Sequence, residues 1–249
     1  MSGTLLDPTA GQAWQLGITA VALGLLGAGV VRTFRSGDTR LLLMVVASAS
    51  AFWQETYGDW AAYLTYSPRF AHYAWGDTRW TSPIQCWWFI AGYAVFYPTL
   101  YGLLLTLARV VRERRPQANV YVAVTLLALP VFYAFDLIFE GTTTYLGYWT
   151  YGYTFGPAVH LGHGTFPLLW PILEQVPFIA LAAIALVWRD DRGRDVFHRA
   201  VARLRPGPAR AAALTGTWIV AVNVTFLALT TLPLMALRWV AGPDMPFLA

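Results

Sequence analysis

Lysine is absent from this 249-residue chain: all seventeen basic residues are arginine. Uniform arginine fits a GC-rich coding genome and carries no mechanism by itself. A single cysteine, Cys86, excludes an internal disulfide and a multi-cysteine metal site. Charge is scarce as well. Only 12% of residues are charged, against about 25% in a soluble domain, and 57% are hydrophobic. That balance excludes an ordinary soluble domain and indicates an integral membrane protein. There is no Gly-rich phosphate loop, no Ser nucleophile elbow and no HExxH motif. The net charge of +4 does not point to nucleic acid, because most Arg residues lie where a membrane topology would put them. Residues 1–13 show neither a basic n-region nor an early apolar core, so no cleaved signal peptide is expected. No internal repeat, low-complexity tract or linker is apparent.

What is present is a set of long apolar segments. Six are long enough for a hydrocarbon core of about 30 Å, at roughly 13–33, 38–57, 83–108, 119–140, 166–188 and 212–237. They predict an all-α, polytopic membrane helix bundle, with residues 1–249 as one integral membrane domain. Fourteen of the seventeen Arg residues fall in alternate connections, such as Arg32, Arg35 and Arg40 after the first segment. The positive-inside rule places those connections in the cytoplasm and both termini outside. The stretch Arg189 to Arg205 reads as a basic, partly amphipathic helix on the membrane surface. The two outer loops, 58–82 and 141–165, hold eleven of the 25 Trp and Tyr residues. An interfacial aromatic belt accounts for about half of them, and the rest are expected to fold over the helix ends as a lid.

Five carboxylates lie in or beside the apolar segments: Glu55, Asp59, Asp136, Glu140 and Glu174. An ionised side chain at mid-membrane costs at least about 2.5–3.5 kcal/mol. Glu55/Asp59 and Asp136/Glu140 are each spaced i, i+4, which puts both members of a pair on one helix face. On the Arg-derived topology all five gather in the outer third of the bundle, beneath the aromatic loops. Glu174 lies deepest, between Pro171 and Pro177, which loosen the helix around it. Low dielectric favours the neutral form of a carboxyl, so Glu174 is a candidate general acid. Solvated helix ends for Glu55, Asp59 and Glu140, and a buried hydrogen-bonding role for Asp136, are the structural alternatives.

Aromatic residues near these acids are candidate substrate-binding groups. Trp53, Tyr57 and Trp60 flank the first pair, and Tyr133 precedes the second. Tyr148 and Trp149 follow in the second outer loop, and Trp170 comes before Glu174. His160 and His163 have a spacing seen in metal sites, but one His pair is a weak signal: hydrogen bonding in the loop is the main expectation, and a metal-dependent enzyme that uses them with the carboxylates is the alternative. Both enter the candidate binding set, with His72 from the other loop as a possible neighbour. Asn223, near the middle of the last segment, faces either a cavity or a neighbouring helix.

Three separated stretches resemble the spirocyclase AveC family of actinobacterial membrane proteins. They are Phe52-Trp-Gln-Glu55-Thr-Tyr-Gly-Asp59-Trp continuing to Arg69, Phe135-Asp136-Leu-Ile-Phe-Glu140 with Leu146 to Tyr151, and Phe166-Pro-Leu-Leu-Trp-Pro-Ile-Leu-Glu174 with Arg189 to Arg194. The resemblance covers roughly residues 40–200. It implies a membrane cyclase that forms spiroketals on polyketide products, sometimes with dehydration, with functional acids at positions 55, 136, 140 and 174. The family pattern at position 59 is closer to Asn, which gives Asp59 less weight. A looser similarity joins Trp149-Thr-Tyr151, Gly162 and Pro171-Ile-Leu-Glu174-Gln-Val-Pro-Phe178 to the membrane lycopene cyclases, whose motif pairs two acids where this chain has Glu174 and Gln175.

Three classes of function stay open at this point. Spiroketal formation needs one carboxyl to protonate a departing oxygen and another to accept a proton. Terpene or carotenoid cyclisation needs an acid for an alkene or epoxide and aromatic faces for the cation. Both act on a lipophilic small molecule taken from the bilayer, and neither calls for a cofactor. Glu174 and Asp136 are the expected central acid and base, tuned by Glu55, Asp59 and Glu140. A proton-coupled transporter also carries acids in its spans, but six spans without a repeat are unusual for one.

Overall fold

A computed structural model describes residues 8–73, 78–82, 84–172, 189 and 194–243. Helix α1 (Pro8–Ser36) leads to a short α2 (Arg40–Ala49), a 3-10 turn (Phe52–Gln54) and α3 (Glu55–Ala62). After the first outer loop come α4 (Phe89–Arg114) and α5 (Val120–Tyr145), and after the second the short α6 (Val196–Ala200). The last described elements are α7 (Pro208–Phe226), a π-turn (Leu227–Thr231) and α8 (Leu232–Ala241). Among the described residues four helices are long and apolar enough to cross a membrane: α1, α4, α5 and the continuous α7–π–α8 rod. The protein is therefore a mostly helical membrane protein.

The expected second span, 38–57, is not one helix. It breaks after Ala49 and restarts at Glu55. Its polar residues explain the break: Ser50, Trp53 and Gln54 turn to side-chain and backbone partners on α7. Trp53 Nε1 donates to Asn223 Oδ1 at 2.8 Å, and Gln54 Nε2 donates to the Asn223 carbonyl at 3.0 Å. Asn223 Nδ2 in turn donates to Ser50 Oγ at 2.8 Å and to the Ile219 carbonyl at 2.9 Å. The expected fifth span differs at its start, where residues 164–167 form a strand, and from residue 173 to 188, Glu174 included, it lies outside the described residues. Among the described residues of the predicted surface helix over 189–205, the helical ones are the five of α6.

The middle of the bundle is built around α2 and α4. α2 packs against α1, α4 and α7, and α4 packs against α1 and α5. Gly29 permits the α1–α2 approach, since a Cβ there would sit 2.9 Å from the Leu42 backbone nitrogen. At the Arg-rich end, Asp195 caps α6 by accepting from the His198 backbone N–H at 2.9 Å, and Arg40 reaches its other oxygen at 3.5 Å. Burial alone would raise the Asp195 carboxyl, but the His198 hydrogen bonds hold it below its ordinary range. Phe197 docks α6 onto Trp218 of α7, with ring centroids 4.2 Å apart. Trp218 is 1% exposed. Trp218→Ala should destabilise the protein by about 3–5 kcal/mol, read as a lowered midpoint in equilibrium denaturation in detergent. A shift under about 1 kcal/mol would remove Trp218 as the anchor of this end.

The outer loops carry three small antiparallel pairs: β1 (Leu64–Tyr66) with β4 (Trp149–Tyr151), β2 (His72–Tyr73) with β3 (Gln85–Cys86), and β5 (Ala158–Leu161) with β6 (Gly164–Pro167). Their aromatics form a second core rather than a belt. Trp60, Tyr66, Phe70, Trp88, Trp149 and Phe166 are all buried in one cluster. Trp80 and Tyr145, by contrast, remain exposed. Cys86 is fully enclosed there, and burial pushes its thiol up, which keeps it unreactive.

Candidate active site

The break before α3 fixes where its acids point. Because the helix restarts at Glu55, Glu55 and Asp59 fall one turn apart on its first two turns. Tyr66 Oη donates to Glu55 Oε1 at 2.7 Å, and Tyr93 Oη of α4 donates to Glu55 Oε2 at 2.7 Å. On α5, Asp136 and Glu140 are likewise one turn apart, and Tyr151 Oη donates to Glu140 Oε2. Asp59 is 3% exposed and Asp136 1% exposed, so neither is a solvated helix end.

The two phenols come from opposite strands of one ladder. β1 and β4 pair Leu64 with Tyr151, Thr65 with Thr150 and Tyr66 with Trp149. Side chains alternate along a strand, so Leu64, Tyr66, Trp149 and Tyr151 share the buried face and Thr65 and Thr150 the other. Thr150 Oγ1 there accepts from the Thr165 backbone N–H at 3.1 Å, which ties β6 to β4. An antiparallel pair has a local two-fold axis, here through Thr65 and Thr150, that exchanges Tyr66 with Tyr151. Each tyrosine lies 11 residues after its own glutamate. The acid end thus contains two copies of one carboxyl–tyrosine unit, a repeat too short for the sequence to announce. Burial, followed by the charges of Asp59 and Glu55, pushes the Tyr66 phenol well above its ordinary value, so it stays a donor.

Glu55, Asp136 and Glu140 open into one cavity of about 360 Å³. Its walls are apolar and aromatic, built from α1, α4 and α5: Trp14, Phe89, Phe96, Phe132, Phe135 and Phe139 among others. A second cavity of about 20 Å³ touches Glu55, Asp59 and Glu140 from the other side, with Trp170 and Thr230 of the π-turn in its wall. That volume suits one water molecule.

The remaining candidate residues are placed as follows. Trp149 is buried against Trp88, Tyr66 and Phe139 behind the cavity wall. Tyr148 packs on Trp14 and Phe70. The Tyr133 hydroxyl donates to the Leu168 carbonyl at 3.0 Å. Trp60 lies under the Arg238 guanidinium, 4.1 Å from its ring centroid. Tyr57 stands edge-on to Trp53, and Trp53 itself is tied to Asn223. His160 and His163 are exposed on the β5–β6 hairpin and line neither cavity. Among the described residues no three His, Cys, Asp or Glu side chains are grouped closely enough to hold a metal ion.

Among the described residues, Trp170 is the one expected binding residue that lines either of these two cavities. The groups that do line the large cavity were readable in part. Phe89, Tyr93, Phe96, Leu100 and Leu103 recur at helical spacing on α4, and Phe132, Phe135 and Phe139 share the α5 face of Asp136 and Glu140. Trp14 had no such signal, because its role depends on how α1 docks.

Comparison with curated proteins and with solved structures gives no match. The family model described as spirocyclase AveC-like matches residues 35–245, a stretch that contains the break, both carboxyl–tyrosine units and the α7–π–α8 rod. Covering most of the chain, this match establishes that the protein belongs to the AveC-like spirocyclase family, a family of cyclases of natural-product biosynthesis.

Proposed function

We propose that the protein closes a spiroketal on a lipophilic, polyketide-type dihydroxyketone, using Glu140 as acid and Glu55 as base. The observation that carries this reading is the pair of carboxyl–tyrosine units facing a single apolar cavity. The substrate's hemiketal hydroxyl takes a proton from Glu140, its C–O bond breaks, and water leaves an oxocarbenium ion. The second hydroxyl attacks that carbon, and Glu55 accepts the proton released. One water is lost and the proton count balances, with the two acids having exchanged states. Proton return through the released water resets them.

Several features support these roles. Burial pushes the Glu55 carboxyl above its ordinary value, and the two hydrogen bonds it receives oppose that rise by favouring the charged form, which suits a base. Asp136, one turn from Glu140 on the same cavity wall, places a third carboxyl beside the oxocarbenium. The dry walls strengthen each of these interactions relative to water. The small cavity between Glu55, Asp59 and Glu140 is the size of the leaving water. With most Arg residues at the opposite end, this site lies on the outer side of the plasma membrane and both termini face out.

The test is cyclisation of a synthetic aliphatic dihydroxyketone by the protein in nanodiscs. The expected product is a spiroketal with one configuration at the spiro carbon, formed faster than in protein-free discs. Folded protein that gives only the background rate and the uncatalysed mixture of configurations would overturn the proposal.

A further inference from the structure

The large cavity is polar at one end and apolar along the rest. Its carboxyls sit at the acid end beside Tyr93, and from there its wall follows α4 through Val95, Thr99 and Leu100 to Leu103. Ten residues of α-helix rise about 15 Å, the extended length of about ten to twelve methylenes. Thr99 adds no polarity to this run, since its hydroxyl donates to the Val95 carbonyl at 2.8 Å. Phe132 lines the same depth from α5, two turns from Glu140.

The two ends of the cavity also differ in closure. At the acid end, Trp14 of α1 contacts Trp88, Phe139 and Tyr148 with ring centroids within 5.8 Å, which seals the site beneath the outer loops. Along α4, in contrast, Thr99 is exposed and Phe135 is 38% exposed, and both line the cavity. Both residues belong to helices that cross the membrane, so this side of the wall meets lipid.

We infer that the substrate is a single-tailed amphiphile, with its oxygenated end among Glu55, Asp136 and Glu140 and an unbranched hydrocarbon tail of about ten to twelve carbons laid along α4 as far as Leu103. It enters sideways from the bilayer, over Thr99 and Phe135, rather than through the outer loops. This rests on the reading of those carboxyls as the reacting end. Leu103 sets the tail length, and the Trp14 contacts exclude bulk water from the head.

Binding tests this without turnover, so its failure is separate from a failure of the cyclisation assay. Protein in nanodiscs is labelled with a long-chain methyl ketone that carries a diazirine at its tail end, and unlabelled 2-alkanones of rising length compete. Affinity should rise up to about twelve carbons and then break off, with crosslinks at or near Leu103. An alkane of equal length should compete at least about tenfold more weakly, since it offers nothing to the carboxyls. Leu103→Trp should move the break down by about four carbons, one α4 turn. Thr99→Phe, which narrows the same run from its exposed side, makes the test independently where Leu103→Trp does not fold. Affinity that climbs smoothly with length in wild type and variants alike, as partitioning into lipid would, overturns the inference. Equal competition by the alkane, or crosslinks spread over lipid-facing positions such as Val220, does so too.

Discussion

Glu140→Gln lowers kcat for spiroketal formation by about 10²–10⁴-fold, the range that a positioned acid contributes, and leaves KM within a few-fold. The amide keeps the shape of the side chain and accepts from Tyr151, so folding and the β1–β4 ladder survive. What it loses is the proton that the departing hydroxyl needs, an interaction made only in the transition state. Glu55→Gln removes the base and has an effect of similar size. Because the two act on one proton cycle, the double variant falls little below either single one; such non-additivity is expected of groups that work as a unit. Asp59→Asn is milder, about tenfold or less, since Asp59 lines only the small cavity. Progress curves in nanodiscs, with detergent stability measured alongside, check all four variants. A Glu140→Gln protein with wild-type kcat removes Glu140 from the chemistry, and a double variant whose losses multiply breaks the pairing of Glu55 with Glu140.

The parts of this site that the sequence displayed are those governed by one-dimensional rules. Arg counts separated the two ends, and i, i+4 spacing put Glu55 with Asp59 and Asp136 with Glu140. Apolar length located α1, α4, α5 and the last rod to within several residues. The break at residues 50–54 obeys a longer-range rule. Ser50, Trp53 and Gln54 read as tolerable interruptions of an apolar run until α7 brings Asn223 beside them. The outer loops divide for a related reason: aromatic content alone does not say which residues stay exposed, as Trp80 and Tyr145 do, and which pack into a core, as Trp60 and Trp149 do. Leu64-Thr-Tyr66 and Trp149-Thr-Tyr151 become legible as partners only once their register is known. Glu174, the acid to which the sequence gives most weight, lies outside the described residues, and the proposed chemistry rests on Glu55 and Glu140.

Asn223→Leu should destabilise the protein by about 2–4 kcal/mol and depress turnover with it. The substitution takes the acceptor from Nε1 of the half-buried Trp53; a donor left alone away from water costs about 1–3 kcal/mol. It also deletes the bond to Ser50 Oγ, and hydrogen bonds between helices in a membrane contribute about 0.6–1.7 kcal/mol. Glu55 begins α3 two residues after Trp53, so loosening the break shifts the carboxyl away from Tyr66 and Tyr93. A direct contact between Asn223 and substrate would also lower activity, and a second substitution separates the two causes. Trp53→Phe removes the stranded donor, and replacing both members of a hydrogen bond by apolar groups is nearly neutral. In the double variant Asn223→Leu/Trp53→Phe, stability and kcat should therefore recover together relative to Asn223→Leu. If stability returns while KM stays high, Asn223 touches the substrate. If neither returns, the Trp53–Asn223 bond does not hold the break that aims Glu55 into the cavity.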